Sequence, residues 1–424
     1  MKAVVLAAGK GKRLQPLTLT RPKHLLSVGG RPILGHILAA VDSAGIKEAL
    51  IVVKHMKEKI IEWCSKNNFN LKLEFAEQSD FLGTAHAISV AEDFTRGEAF
   101  IVVNGDVLTN PLEIQGIIHT HNSAKPFCTL GVKKVENPYQ YGIVSVKNGL
   151  VETVIEKPSP SETFSNLIST GIMCFESSVF DIIRQTPLSN RGEYEITTTL
   201  KIAISESKKI IPYEISSWWI DIGRPWDLLE ANRYLISGAA ASNTGVVEEN
   251  AHLKGKVIVG KDAVIRSGSY IEGPVMIDEG ADIGPNCYIR PVTYIGKHVR
   301  IGNACEIKNS IILDGTHIGH LSYVGDSIIG SDVNFGAGTK IANLRFDNKT
   351  VYMNINGVKT DSNLRKLGAV IGDRVKTGIG VNIMPGVKIG PGSAIAPNIT
   401  VWTDIPAYKL VNVKLDYTLR DWES

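Results

Sequence analysis

Cysteine, net charge and long apolar runs are all scarce in this chain. Five cysteines occur in 424 residues, at Cys64, Cys128, Cys174, Cys287 and Cys305. They are scattered, odd in number and without CxxC or histidine-partner spacing, so neither a disulfide framework nor a zinc site is expected. They read instead as small buried hydrophobes in a reducing cytoplasm. Charged residues make up 21% of the chain and the net charge is only +3, which gives no basis for nucleic-acid binding. No apolar run reaches the roughly 18 residues a membrane span needs, and no signal peptide precedes the first strand. A cytoplasmic protein without a membrane or nucleic-acid partner is the expectation.

What is abundant is glycine, forty residues crowded toward the second half. The chain is too long for one ordinary core, and its two halves carry different periods. Residues 1–228 alternate apolar runs (IKEALIVVKH, GEAFIVVNGD, AKPFCTLGVKKV) with helical segments such as RPILGHILAAVDSAG. That alternation predicts an α/β sheet whose strand C-termini form a ligand crevice. Residues 229–245 read as a linker helix running out into small residues. From 246 to 405 an apolar residue falls on every sixth position: Leu253, Val259, Ile265, Ile271, Ile277, Ile283, Ile289, Ile295, Ile301 and Ile307. A period of six is neither helix nor alternating strand; it predicts a parallel β-helix of hexapeptide repeats, three short strands to a coil. The register slips by one near Ile312, Ile318 and Val324 and resumes at Ile371, Ile383, Ile389, Ile395 and Val401. Between Asn343 and Leu367 it fails, which predicts a long loop with a hairpin turn at Asn356-Gly357. Residues 406–424 form a tail too short for a domain.

The first strand breaks into LAAGKGKRLQPLTLTRPK. The loop lacks the third glycine of GxGxxG and ends in no GK[ST], so neither a dinucleotide fingerprint nor a P-loop is present. What remains is a loop whose amides can line a polyphosphate, with Arg13 and Lys23 as countercharge; a lysine-rich surface turn is the plain alternative. The order of this segment, then EQSDFLGTAHAI, VVNGDV, YGIV, EKP and WWIDIG, resembles the sugar-1-phosphate nucleotidylyltransferases over nearly all of residues 1–225. The resemblance implies a Rossmann-like α/β fold that binds a nucleoside triphosphate (UTP or dTTP) and a sugar 1-phosphate and releases pyrophosphate. It places Leu6, Ala7, Ala8, Gly9 and Gly11 around the nucleotide, with Arg13 and Lys23 as catalytic cations. Gln78, Gly83 and Thr84 match the base-reading positions. Asp106 and Asp221 match the carboxylate pair that holds Mg²⁺. Tyr141, Gly142, Glu156, Lys157, Ser169 and Thr170 match sugar- and phosphate-contacting positions, with serine at 169 where the family has asparagine. An anionic phosphate attacking an α-phosphorus needs no side-chain nucleophile, so pairing carboxylates for a metal with lysine and arginine suits the chemistry.

The second half, through HLSYVGDSIIGSDVNFGAGTKIAN, resembles the acetyltransferase domain of bifunctional N-acetylglucosamine-1-phosphate uridylyltransferase/glucosamine-1-phosphate acetyltransferases of archaeal type. The resemblance implies a left-handed β-helix, a homotrimer and acetyl-CoA as co-substrate. It makes His320 the general base, Arg290, Lys308 and Tyr323 contacts of the sugar phosphate, and Asn334 and Asn343 orienting groups, with Ala337 beside the thioester. An imidazole titrates near neutrality, as a base deprotonating an attacking amine should. Leu344 stands where bacterial members have tyrosine. The expected whole is therefore an α/β Rossmann-like nucleotidyltransferase domain followed by a left-handed parallel β-helix. The competing readings are a single-activity nucleotidylyltransferase with the β-helix as trimerisation scaffold, and a non-catalytic regulatory subunit on the same fold.

Overall fold

A computed structural model describes residues 1–159, 161, 163–414 and 420. The chain divides into two compact units. The first comprises Met1–Gly11, Arg21–Leu26 and Arg31–Gly223; the second comprises Lys12–Thr20, Ser27–Gly30 and Arg224–Ser424.

Strand Lys2–Ala7 (KAVVLA) starts the first unit. Ala3, Val4 and Val5 are wholly buried, as a parallel strand covered on both faces requires. It pairs in parallel with Glu48–Val53 on one side and Phe100–Asn104 on the other, and Lys72–Glu77 adds to the outer edge. Connections thus leave the first strand in opposite directions, which opens a crevice beyond the strand C-termini, where Leu6–Gly11 and Asn104–Asp106 emerge. The other half of the nine-stranded sheet is largely antiparallel, unlike a simple alternation of strand and helix. Leu167–Phe175 runs antiparallel to Phe100–Asn104 and to Cys128–Lys134, and Gly142–Lys147 hairpins onto Leu150–Glu156. The hairpin turns at Asn148-Gly149, whose φ values of 52° and 77° suit a two-residue connection between twisted strands. Buried aliphatics and rings, among them Val102, Phe100, Phe175, Phe180 and Leu200, fill one face of the sheet.

In the second unit, helix Pro225–Gly238 occupies the place expected for a linker helix at 229–245, and the first coil strand begins at Ser242. Three parallel sheets of eight, nine and eight strands follow, each coil giving one strand to each face. The six-residue period becomes three inward ladders. One runs Val259–Ile277–Ile295–Ile312–Ile329–Ile371–Ile389. Another runs Ile271–Ile289–Ile307–Val324–Ile341–Ile383–Val401. The slip at Ile312 is one residue lost from a coil, absorbed at a corner while the ladders stay in line. Thr377 takes the rung between Phe335 and Ile395 on the remaining face. Its hydroxyl is satisfied at 2.8 Å by Thr339 Oγ1 and at 3.0 Å by the Gly336 amide, so the buried polar group is paired. Leu253 is 38% exposed, because it lies on the open end of the stack. The 343–367 segment carries the antiparallel pair Tyr352–Ile355 and Val358–Asp361, turning at Asn356-Gly357. Of the tail, Leu410–Val411 joins the stack beside Ala394–Ile395, while 415–419 and 421–424 lie outside the described residues.

All five cysteines are free and buried, and burial pushes the Cys64 and Cys287 thiols up to about 12. Among the described residues no helix is long and apolar enough to cross a membrane.

Candidate active sites in the two units

At the strand ends of the first unit, Gly105 donates its amide to the carbonyl of Leu6 at 3.0 Å, tying the VVNGD turn to the start of the glycine-rich loop. Lys23 donates to the Asp106 carboxylate, and both side chains are mostly buried. Gly9 lies against the Lys23 stem. Strand Trp219–Asp221 pairs antiparallel with Val107–Thr109, and the Ile222 amide donates to the Asp106 carbonyl at 2.9 Å. Asp106 and Asp221 thus lie side by side at one edge. His24, wholly buried beside Gly105, is held neutral down to about 3 by burial and by Lys23.

One wall of the crevice is aromatic. Trp219 donates to the Thr170 carbonyl at 3.0 Å and meets Tyr141 edge-on at 5.5 Å between ring centres. Thr170 is buried, its hydroxyl donating to the Gly131 carbonyl, so it serves the backbone rather than the crevice. Ser169 lies half-buried at an irregularity of the strand pairing. Gly171 has φ 76°, and a Cβ there would come within 2.4 Å of the Asn104 amide nitrogen, so only glycine fits. Gly142 abuts the Glu156 carboxylate, and the Lys157 amide donates to the Tyr141 carbonyl. Opposite, Gln78 is buried and its amide reaches the Gly83 carbonyl and His86, while Thr84 and Ala85 bond to Ile196 and Tyr194.

The first unit therefore brings together Leu6–Gly11, Lys23, Asp106 and Asp221, and separately Tyr141, Gly142, Glu156 and Lys157. Arg13 is exposed on the single turn Lys12–Leu14, which groups with the second unit. Asn104, Trp219 and Arg191 escaped the sequence reading. Arg191 lies within 3.6 Å of the Glu156, Glu193 and Glu195 carboxylates, and no motif spacing marks it. Asn104 sits in the quoted NGD turn, but its partner Gly171 is visible only in the fold.

On the β-helix, strands alternate inward and outward residues, so positions one coil apart stack on one another. Arg290 and Lys308 follow the inward Ile289 and Ile307 on successive rungs of the third face, and the coil after Lys308 puts Gly325 at the same place. Asp326, buried on the corner with φ 51°, accepts from Lys308 at 3.2 Å, from Asn309 at 2.7 Å and from Asn343. Asn343 also donates to the Tyr323 hydroxyl at 3.1 Å. A Cβ at Gly325 would fall 2.5 Å from that hydroxyl and 2.6 Å from the Asn343 amide, so the missing side chain makes room for the cluster. Burial and the Asp326 charge push the Tyr323 phenol up, keeping it protonated. Arg290 pairs with Glu306 at 2.8 Å over the Tyr288 ring.

His320 is exposed at the corner leading into the third face, three residues before Tyr323, where the amide of Gly338 donates to its carbonyl and Ala337 lies one coil on. Asn334 is on the second face, beside His317. The structure therefore gathers Arg290, Lys308, Tyr323 and Asn343, sets Ala337 one coil on from His320, and puts Asn334 on the second face.

A glycine-rich loop at the strand ends of an α/β sheet in one unit and a hexapeptide β-helix in the other have the layout of a nucleotidyltransferase joined to an acyltransferase. The sequence profile of the Nucleotidyl transferase family matches residues 2–238, and that of the GMPPB C-terminal domain matches residues 271–384. The bifunctional protein GlmU of Methanococcus vannielii is 44% identical over 98% of this chain and 98% of its own length. A bifunctional sugar-1-phosphate nucleotidylyltransferase/acetyltransferase of Sulfurisphaera tokodaii is 41% identical over 91% of this chain and 94% of its own. A crystal structure of a UDP-glucose pyrophosphorylase shares the fold over 56% of this chain and 99% of its own, at 22% identity and a TM-score of 0.51. The chain belongs to the nucleotidyl transferase family, in its bifunctional GlmU-type branch. It is a transferase of both nucleotidyl and acetyl groups.

Proposed function

We propose that the chain acetylates glucosamine 1-phosphate with acetyl-CoA and couples the product, N-acetylglucosamine 1-phosphate, to UTP or dTTP with release of pyrophosphate. The observation that carries this reading is the acceptor cluster on the β-helix. Two cations, a phenol and an amide converge on one corner, and a trimerisation scaffold has no use for them.

In the first unit a sugar-phosphate oxygen attacks the α-phosphorus in line, a P–O bond forms as the bond to pyrophosphate breaks, and no proton needs to move. The loop Leu6–Gly11 would line the nucleotide, with Gln78, Gly83 and Thr84 at the base. Lys23, already directed at Asp106, would spread the negative charge of transfer. Tyr141, Gly142, Glu156, Lys157 and Ser169 would border the sugar, with Thr170 holding the strand beneath them. Asp106 and Asp221 fit a Mg²⁺ site: among the described residues no third carboxylate, histidine or cysteine joins them, and Mg²⁺ commonly takes one or two carboxylates with phosphates and water completing its shell. Bound there, the ion would neutralise phosphate charge between the reactants.

In the second unit Arg290 and Lys308 would grip the phosphate dianion. His320 would take a proton from the amine nitrogen as the N–C bond forms and the C–S bond of the thioester breaks, and would return that proton to the departing sulfur, which leaves as the thiol. Ala337, with a single methyl, would leave passage for the thioester, and Asn334 would orient the donor. We assign the chain to a cytoplasmic homotrimer on the strength of the β-helix, whose flat faces suit assembly about one axis. The test is a panel of four triphosphates against several sugar 1-phosphates, with and without acetyl-CoA, following pyrophosphate and free thiol. Thiol release only with an amino-sugar 1-phosphate, and pyrophosphate release best with UTP or dTTP, is expected. Pyrophosphate release without any thiol release would leave a single-activity enzyme on a scaffold.

A further inference from the structure

Asp326 is not among the residues that the chemistry above requires, yet it organises those that are. Its carboxylate is 4% exposed and receives three donors, Asn309 on one oxygen and Lys308 and Asn343 on the other. A carboxylate only accepts, so the nitrogen of the Asn343 amide, not its oxygen, must face it. That nitrogen has two hydrogens. One goes to Asp326 and the other to the Tyr323 hydroxyl. Both are then spent, and the amide oxygen of Asn343 takes no hydrogen bond from the described residues. Tyr323, accepting from Asn343, keeps its own O–H to donate. The corner is thereby polarised: Asn343 offers an acceptor, Tyr323 a donor, and Lys308 is held with further N–H groups to spare.

We propose that Asp326 is a positioning residue for the acetyl-transfer acceptor, fixing Asn343 so that its amide oxygen receives an N–H of the substrate amine. The proposal rests on the acetyl-transfer reading. An amine held by one N–H toward Asn343 presents its remaining substituents in a fixed sense, which directs its lone pair at the thioester. The same corner cannot hold the amine so if the amide is free to turn over, because Asn343 would then offer N–H to a group that needs an acceptor.

The test uses the full chain and follows free thiol with glucosamine 1-phosphate, taking the inhibition constant of an amine-free analogue as the measure of an intact phosphate grip in the same corner. Asp326→Asn keeps the shape but supplies a donor, so Asn343 can invert; kcat/KM for the amino sugar should fall about 10- to 100-fold, the loss of one or two hydrogen bonds involving a charge. Inhibition by 2-deoxyglucose 1-phosphate, which has the phosphate but no group at C2, should change by less than about threefold in Ki. Wild-type kcat/KM in Asp326→Asn, or a parallel rise in the 2-deoxyglucose 1-phosphate Ki, would each overturn the proposal. Absence of thiol release from the unmodified chain would overturn the acetyl-transfer reading itself.

Discussion

The two units reach a working site by opposite routes. In the first, the site is assembled from segments far apart in sequence: the turn carrying Lys23 meets Asp106, and the strand ending in Asp221 pairs beside it. In the second, Arg290, Lys308 and Gly325 occupy one column because each coil repeats the last. The first sheet is mixed, and each neighbour is specified by its own packing. The second is a stack of near-identical rungs whose inward aliphatics, Ile283, Ile301 and Ile318, bury one another in register. A solenoid can thus carry a site by substituting outward positions on a fixed scaffold, whereas an α/β crevice must be built by the whole fold.

The sharpest way to break the comparison is to ask whether the sites fail independently. Asp106→Ala should reduce pyrophosphate release by about 10³-fold, since it removes both the Lys23 partner and one carboxylate of the proposed metal pair, with thiol release unchanged. His320→Ala should do the reverse, lowering acetyl transfer by about 10²-fold or more while pyrophosphate release holds. A folded variant that loses both activities from either change would show the sites to be coupled. Next in size is a truncation inside the stack. Ile301→Ala empties a wholly buried rung and should destabilise by about 3 kcal/mol. Hydrogen exchange should place the loosening on the flanking Ile283 and Ile318 coils, as nearest-neighbour coupling demands; loosening spread evenly over the chain would contradict it.

The smallest effect concerns pH. Burial holds the His121 pKa below its ordinary value, outweighing Glu176, whose carboxylate lies 3.4 Å away. The unfolded chain therefore binds more protons than the folded one below pH 6.5, and stability should be lost as pH falls from 7 toward 5. In His121→Gln that fall, read from denaturant midpoints at the two pH values, should be shallower; an unchanged slope would show that the imidazole contributes nothing.

How much of this was legible beforehand differs between the units for the same reason. The hexapeptide period marked Val259 to Ile307 as one inward register, the slip at Ile312, and the Asn356-Gly357 hairpin, because each is a local rule repeated along the chain. Thr377 broke the aliphatic pattern, and only its hydroxyl partners explain why it is tolerated. In the first unit the motifs were recognisable one by one, but the antiparallel half of the sheet was not, nor was Arg191 among three carboxylates. On the β-helix the sequence offered Lys308, Tyr323 and Asn343 one by one; only the fold shows Asp326 and Asn343 linking them.

By itself the sequence determined the repeat and the glycine-rich loop, since each is written in composition or spacing. Only the tertiary structure decided which side chains share an edge, that Gly171 yields to Asn104 and that Asp326 orders Lys308, Asn309 and Asn343. Those facts depend on distances across rungs and between strands. A linear pattern does not encode them, because burial and hydrogen bonding are settled only when the segments meet.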